Sequence, residues 1–106
     1  MVDKLKILHD LKNQLSINLG TELQDVILFG SQVSGLVSLD SDYDFLIILQ
    51  NKPDWKLKKI ISDICYTIDL KYDIISDTHI LSKSEQNTLR WKQPIFRKAL
   101  NDGIYA

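Results

Sequence analysis

Val26-Ile27-Leu28-Phe29-Gly30-Ser31, followed after nine intervening residues by Ser41-Asp42-Tyr43-Asp44-Phe45-Leu46-Ile47-Ile48-Leu49, is the stretch that decides the fold. The first apolar run is short, has no helical period and is closed by Gly30, so it reads as a buried strand. The second reads as a strand from Tyr43 to Gln50, with Phe45, Ile47 and Leu49 on one face. By the same alternation Asp42 and Asp44 project from the opposite face, about 6.6 Å apart along the chain. Two carboxylates at that separation repel by roughly 2–3 kcal/mol at an intermediate effective dielectric. Asp is also a poor strand former, so the pair gives the sheet nothing. A cation must offset the cost, and a divalent ion is the simplest.

Residues 30–41 between the two strands are rich in Gly and Ser and read as a loop with room for one helical turn. Gly30 ends a strand, Ser31 can cap a short helix and Gly35 follows, so a ligand can approach exposed backbone amides of the kind that attract phosphate. Alone, a Gly-Ser turn or an acidic loop such as Asp40–Asp44 is ordinary surface. Together, a phosphate-binding turn 12 residues ahead of a same-face acid pair suits a magnesium–nucleoside triphosphate. Two ions about 3.5–4 Å apart would clamp the attacking and leaving oxygens of an in-line displacement.

Working outward, Leu5, Leu8, Leu11, Leu15 and Leu19 recur at helical spacing, which predicts an amphipathic helix from residue 3 to about 19, stopped by Gly20. After the second strand, Asn51 and Pro53 open another helix. Leu57, Ile61, Ile64 and Ile68 line one side of it, and Lys56, Lys58, Lys59 and Asp63 a solvated one. Tyr72 to Leu81 reads as a third strand. Ser82 and Glu85 stand at capping-box spacing for a helix beyond. Pro94 can start a last helix with Ile95, Phe96, Ala99 and Leu100 inward and Gly103 as terminator. The order is α-β-loop-β-α-β-α, an α/β (α+β) fold: a small mixed sheet with helices packed mainly on one face and the acids on the other.

Composition narrows the function. With 106 residues, 44% apolar and 25% charged, the chain reads as a single domain spanning 1–106. A net charge of −1 gives no bulk field for nucleic acid, and no run approaches the ~20 apolar residues of a membrane span. Cys65, the one cysteine, falls in a helical pattern and reads as a buried reduced thiol, which fits a cytoplasmic protein. His9 reads as a surface residue. His79 would share a face with Asp77, as a structural histidine or an accessory base. Trp55 and Trp91 read as core or interface anchors, with Trp91 the better interface residue. Tyr43 and Tyr66 read as packing residues. No Cys/His set has zinc spacing.

The segments Leu28-Phe29-Gly30-Ser31 and Ser41-Asp42-Tyr43-Asp44-Phe45 resemble the signature of polymerase-β-type nucleotidyltransferases, and the small size resembles their minimal (MNT) branch. The resemblance implies that Gly30 and Ser31 position the triphosphate of ATP and that Asp42 and Asp44 ligate two Mg²⁺. It also implies a third carboxylate on a later strand that helps activate the incoming hydroxyl. Asp73, in Tyr72-Asp73-Ile74, is the preferred residue, Asp77 the second choice and Asp69 the third. The chain departs from the pattern in one respect: Gln32 and Ser34 stand where the branch often carries arginines, and no Lys or Arg occurs between Lys12 and Lys52. An arginine on transferring phosphate is worth several kcal/mol, so rapid turnover is more at stake than binding. The second helix or Lys71 could supply a substitute lysine.

The function implied is Mg²⁺-dependent transfer of AMP from ATP to a hydroxyl of a partner protein. The resemblance also implies a partner: stand-alone members of the minimal branch are frequently antitoxins paired with an α-helical HEPN ribonuclease toxin, a pairing that allows an oligomer within the complex. The alternative is a binding module of the same fold that masks its partner without chemistry. Modification of a small molecule such as an aminoglycoside would call for an additional domain.

Overall fold

The computed structural model describes residues 3–34 and 42–106, apart from the side chains of Ser31 and Ser34. Gly35, Asp40 and Ser41, which the sequence places in the glycine loop and the acidic turn, lie outside the described residues. The elements are α1 (Lys4–Leu19), β1 (Leu23–Phe29), α2 (Ser31–Ser34), β2 (Tyr43–Leu49), α3 (Trp55–Tyr72), β3 (Ser76–Ser82), α4 (Pro94–Asp102) and β4 (Ile104–Tyr105).

Four strands form one mixed sheet in the order β3-β2-β1-β4. β1 runs antiparallel to β2 and β4, whereas β2 and β3 are parallel, joined by α3 as the crossover such a pair requires. β2 lies between two strands and is buried from Phe45 to Leu49 without alternation, which explains its unbroken apolar run.

On one face α1 contributes Ile7, Leu8, Leu11 and Leu15, and α3 contributes Ile61, Cys65 and Ile68. These pack on Val26, Leu28, Phe45, Ile47 and Leu49. Each such side chain contributes about 1.5–3 kcal/mol by leaving water. Both helices start on an aspartate cap: Asp3 accepts from Leu5 N and Lys6 N, and Asp54 accepts from Leu57 N. Leu5 does not turn inward as its spacing suggests but stands 44% exposed, and Ile7 takes the core position.

The opposite face is not left open. Ile27, Phe29, Leu46, Ile48 and Leu81 are covered by Trp91, Phe96 and Ala99, so α4 and the 3₁₀ turn Leu89–Lys92 close most of it. Trp91 is therefore core, with its Nε1 donating to Ser82 O at 2.8 Å. Trp55 and Tyr66 are exposed, and so is Ile95, the one outward residue of the four expected to face inward on the last helix. The short β4 returns beside β1 past Gly103, where a Cβ would collide with Ala99 O and Ile27 Cγ2.

Three boundaries differ from the sequence reading, and β4 is an addition to it. β1 begins at Leu23, three residues ahead of Val26. The third strand begins at Ser76, not Tyr72, because α3 runs on through Tyr72, whose hydroxyl donates to Asp10 of α1 at 2.6 Å. At Ser82 the chain enters a 3₁₀ turn, Lys83–Glu85, and not a helix; the Ser82 hydroxyl donates to Glu85 Oε1. No helix among the described residues is long and apolar enough to cross a membrane.

Candidate active site

The site forms where β1 ends, β2 begins and β3 begins. Asp44 is in register with Phe29 on one side and with Asp77 on the other. Parallel neighbours in register lie about 4.8 Å apart, so the two aspartates face each other across the strand gap. His79 follows Asp77 by two residues and shares its face. A carboxylate oxygen from each aspartate and an imidazole nitrogen of His79 all lie within 4.8 Å of one another.

Gly30 explains how the turn fits beside this cluster. Its φ is +78°, a conformation that favours glycine, and a Cβ there would collide with Asp44 Oδ2. The backbone thus runs directly against the carboxylate, and α2 starts at the next residue. Val33 N donates to Gly30 O at 3.0 Å and closes that turn.

Electrostatics mark Asp44 as the stressed member. Burial holds its carboxyl above the usual range, and the charges of Asp77 and Asp42 push the same way, opposed by His79. Asp42 is exposed, just ahead of β2. It acts on Asp44 through its charge but is not a member of the compact cluster. The imidazole of His79 sits between two rings, 5.8 Å from Phe29 and 5.7 Å from Phe96, with Nε2 3.6 Å from Asp77 Oδ2.

Asp73, the preferred third carboxylate, is not brought here. It caps the C-terminus of α3 in the left-handed conformation, φ 54° and ψ 50°, and its N–H donates to Asp69 O. Asp69 lies on α3 beside Cys65, one carboxylate oxygen buried and without a hydrogen-bond partner. Asp77, flanked by Ser76 and Thr78, is the acid that lines up with Asp44. Its polar neighbours hide it from a hydrophobic-acid-hydrophobic reading. The alternation of Asp77 with His79, running into Ile80-Leu81, is the signal that finds it.

Cys65 is buried as expected, and burial pushes its thiol up. His9 is exposed as expected. The glycine turn is not without a cation: Lys4 of α1 reaches the carbonyl of Gln32 at 2.9 Å.

The oxygen donors of Asp44 and Asp77, with Asp42 alongside, suit a hard divalent cation such as Mg²⁺. Burial is the main cause of the raised Asp44 carboxyl and the charges of Asp77 and Asp42 add to it, and a bound cation would act against both.

A family model for the nucleotidyltransferase domain matches residues 8–105, and the chain belongs to that family. A relative from Methanocaldococcus jannaschii, MJ0141, named as a candidate protein adenylyltransferase, is 36% identical over 80 residues, which cover 76% of this chain and 81% of that protein. Among solved structures, spectinomycin adenyltransferase AAD(9) from Enterococcus faecialis, with ATP and spectinomycin, superposes with a TM-score of 0.63 at 23% identity. That match covers 80% of this chain and 36% of the other, so the chain spans about a third of that enzyme. A toxin–antitoxin structure with AMP-PNP gives a TM-score of 0.59 at 19% identity, covering 92% of this chain and 69% of the other. These likenesses establish a nucleotidyltransferase fold.

Proposed function

We propose that this domain transfers AMP from ATP to a hydroxyl of a partner protein, with Mg²⁺, as the antitoxin of a HEPN-type ribonuclease toxin. The observation that carries the chemistry is the register of Asp44 with Asp77 directly against Gly30. The protein acceptor is supported by the name of the relative from M. jannaschii, and the antitoxin role by the toxin–antitoxin structure with AMP-PNP.

Asp42, Asp44 and Asp77 would hold the metal, with Asp77 in the place the sequence reading gave to Asp73. Bound there, Mg²⁺ supplies charge neutralisation at the phosphate oxygens and makes the acceptor hydroxyl more acidic. Gly30 lets the triphosphate approach the backbone, and the amides at the start of α2, with Ser31, orient it. The acceptor oxygen bonds to the α-phosphorus of ATP as its bond to the β-phosphate breaks and pyrophosphate leaves, while Asp77 takes the acceptor proton at its carboxylate. His79, wedged between Phe29 and Phe96, keeps Asp77 turned toward the reacting centre.

Incubation with labelled ATP, Mg²⁺ and the helical protein encoded next to this one tests the reading. Label transfer that disappears in Asp44→Asn and Asp77→Asn supports it. A tight complex without transfer, unaffected by either substitution, replaces it with a masking module, the reading favoured by the lack of Lys and Arg between Lys12 and Lys52.

A further inference from the structure

Along the β3 edge of the sheet, running from His79 of the acidic cluster toward Ser82 and Lys52 at the other end of the strands, lies an open pocket of about 390 Å³. Three cations converge on it from three separate elements: Lys52 after β2, Lys58 of α3 and Arg90 of the 3₁₀ turn before α4. Against them stands one carboxylate, Glu85, which is already engaged by the Ser82 hydroxyl at 2.8 Å. The ion pairs among the described residues are Lys59–Asp63, Lys71–Asp10 and His79–Asp77, so none of the three pocket cations has a carboxylate partner among those residues. Arg90 is held in place without being neutralised: its Nη2 donates to Ile80 O at 3.0 Å, and its guanidinium lies 5.4 Å from the Phe96 ring. In a chain of net charge −1, three converging uncompensated cations raise the local potential for an anion.

Position gives this pocket its meaning. The sheet order puts the glycine turn on the β1 side of the cluster and the pocket on the β3 side, with His79 lining the pocket and belonging to the cluster. A nucleotide held at Gly30 leaves the β3 side to the acceptor. Apart from the His79 imidazole no aromatic ring lines the pocket, so it lacks the stacking platform that single-stranded nucleic acid uses. Pro53 and Ile80 give its wall an apolar component suited to a peptide.

We infer that this pocket is the acceptor-side subsite and that it takes acidic side chains flanking the modified hydroxyl of a protein. The inference rests on the protein acceptor proposed above and adds the charge that this acceptor carries.

Lys52 and Lys58 are exposed, so Lys52→Glu/Lys58→Glu leaves the fold intact. The probe is a fluorescent peptide with a tyrosine between glutamates, followed by anisotropy. A lysine-flanked peptide and a single-stranded oligonucleotide of equal charge serve as comparisons. The glutamate peptide binds best, its affinity falls with salt, and the double variant weakens it by about tenfold or more. Asp44→Asn does not weaken it. Absence of binding, equal affinity in the double variant, or a preference for the oligonucleotide overturns the inference. Mg²⁺–ATP binding, measured by calorimetry on the same samples, bears on the nucleotidyltransfer reading alone. Its failure counts against that reading while the peptide result still decides the pocket.

Discussion

Asp10 and Asp44 are both partly buried aspartates on well-packed elements, and the protein treats them in opposite ways. Asp10 accepts from the Lys71 ammonium at 2.7 Å and the Tyr72 hydroxyl at 2.6 Å, and these contacts hold its carboxyl below the usual range. Asp44 is buried beside Asp77 and Asp42 and is pushed above it. The first carboxylate is satisfied by the fold and ties α1 to α3. The second is disfavoured by burial first and by two neighbouring acids, a cost that a bound cation would offset.

The largest effect that sharpens this contrast is at Asp44 itself. Asp44→Asn should reduce AMP transfer by about a hundredfold or more, read from labelled ATP. In metal-free buffer at neutral pH the same variant should melt no lower than wild type, because it removes a charge that burial and two neighbouring acids disfavour. A large drop in melting temperature would mean that the fold itself, and not a bound cation, uses the Asp44 carboxylate.

Gly30→Ala comes next. The left-handed φ and the collision with Asp44 together should cost about 1–3 kcal/mol in denaturant unfolding, and nucleotide binding should weaken in parallel. Unchanged stability would mean that the turn does not press on the acid.

Asp73→Gly should change stability by less than about 1 kcal/mol. Relief of the left-handed backbone is offset by a looser unfolded chain. Transfer should be unaffected. A loss of transfer here comparable with that in Asp77→Asn would return the third carboxylate to Asp73.

Asp10→Asn should have the smallest effect and a defined pH dependence. The folded carboxyl lies below its ordinary 3.8, so its stabilising contribution is present above that value and fades as pH falls through the lowered one. Wild type should therefore be slightly more stable than Asp10→Asn at pH 7, and the two melting curves should converge in strong acid. A gap that persists there would point to packing as the cause.

Sequence legibility followed the same division. β1 and β2 are readable because both of their faces are buried, which makes Val26–Phe29 and Phe45–Leu49 unbroken apolar runs. Gly30, Asp42 and Asp44 follow directly from the ends of those runs. The fold class, the turn of helix after Gly30 and the α4 start at Pro94 were legible for the same local reasons. β3 was harder. It is an edge strand whose first half, Ser76-Asp77-Thr78-His79, is polar, so no apolar run marks where it begins. The preceding helix runs to Tyr72 because of a tertiary partner, Asp10, 62 residues away. A local reading that ends the helix early assigns Asp73 to the strand and ranks it ahead of Asp77, the acid in register with Asp44. The covered second face depends on Trp91 and Phe96 folding back across the sheet, which no local period encodes.

Manganese titration followed by paramagnetic broadening of backbone amide signals tests the central claim most directly. With a nucleotide analogue present, broadening should centre on Gly30, Asp44 and Asp77. It should vanish in Asp77→Asn and persist in Asp73→Asn. Broadening centred on Asp73, or surviving unchanged in Asp44→Asn and Asp77→Asn, would contradict the assignment of these facing carboxylates as the metal site.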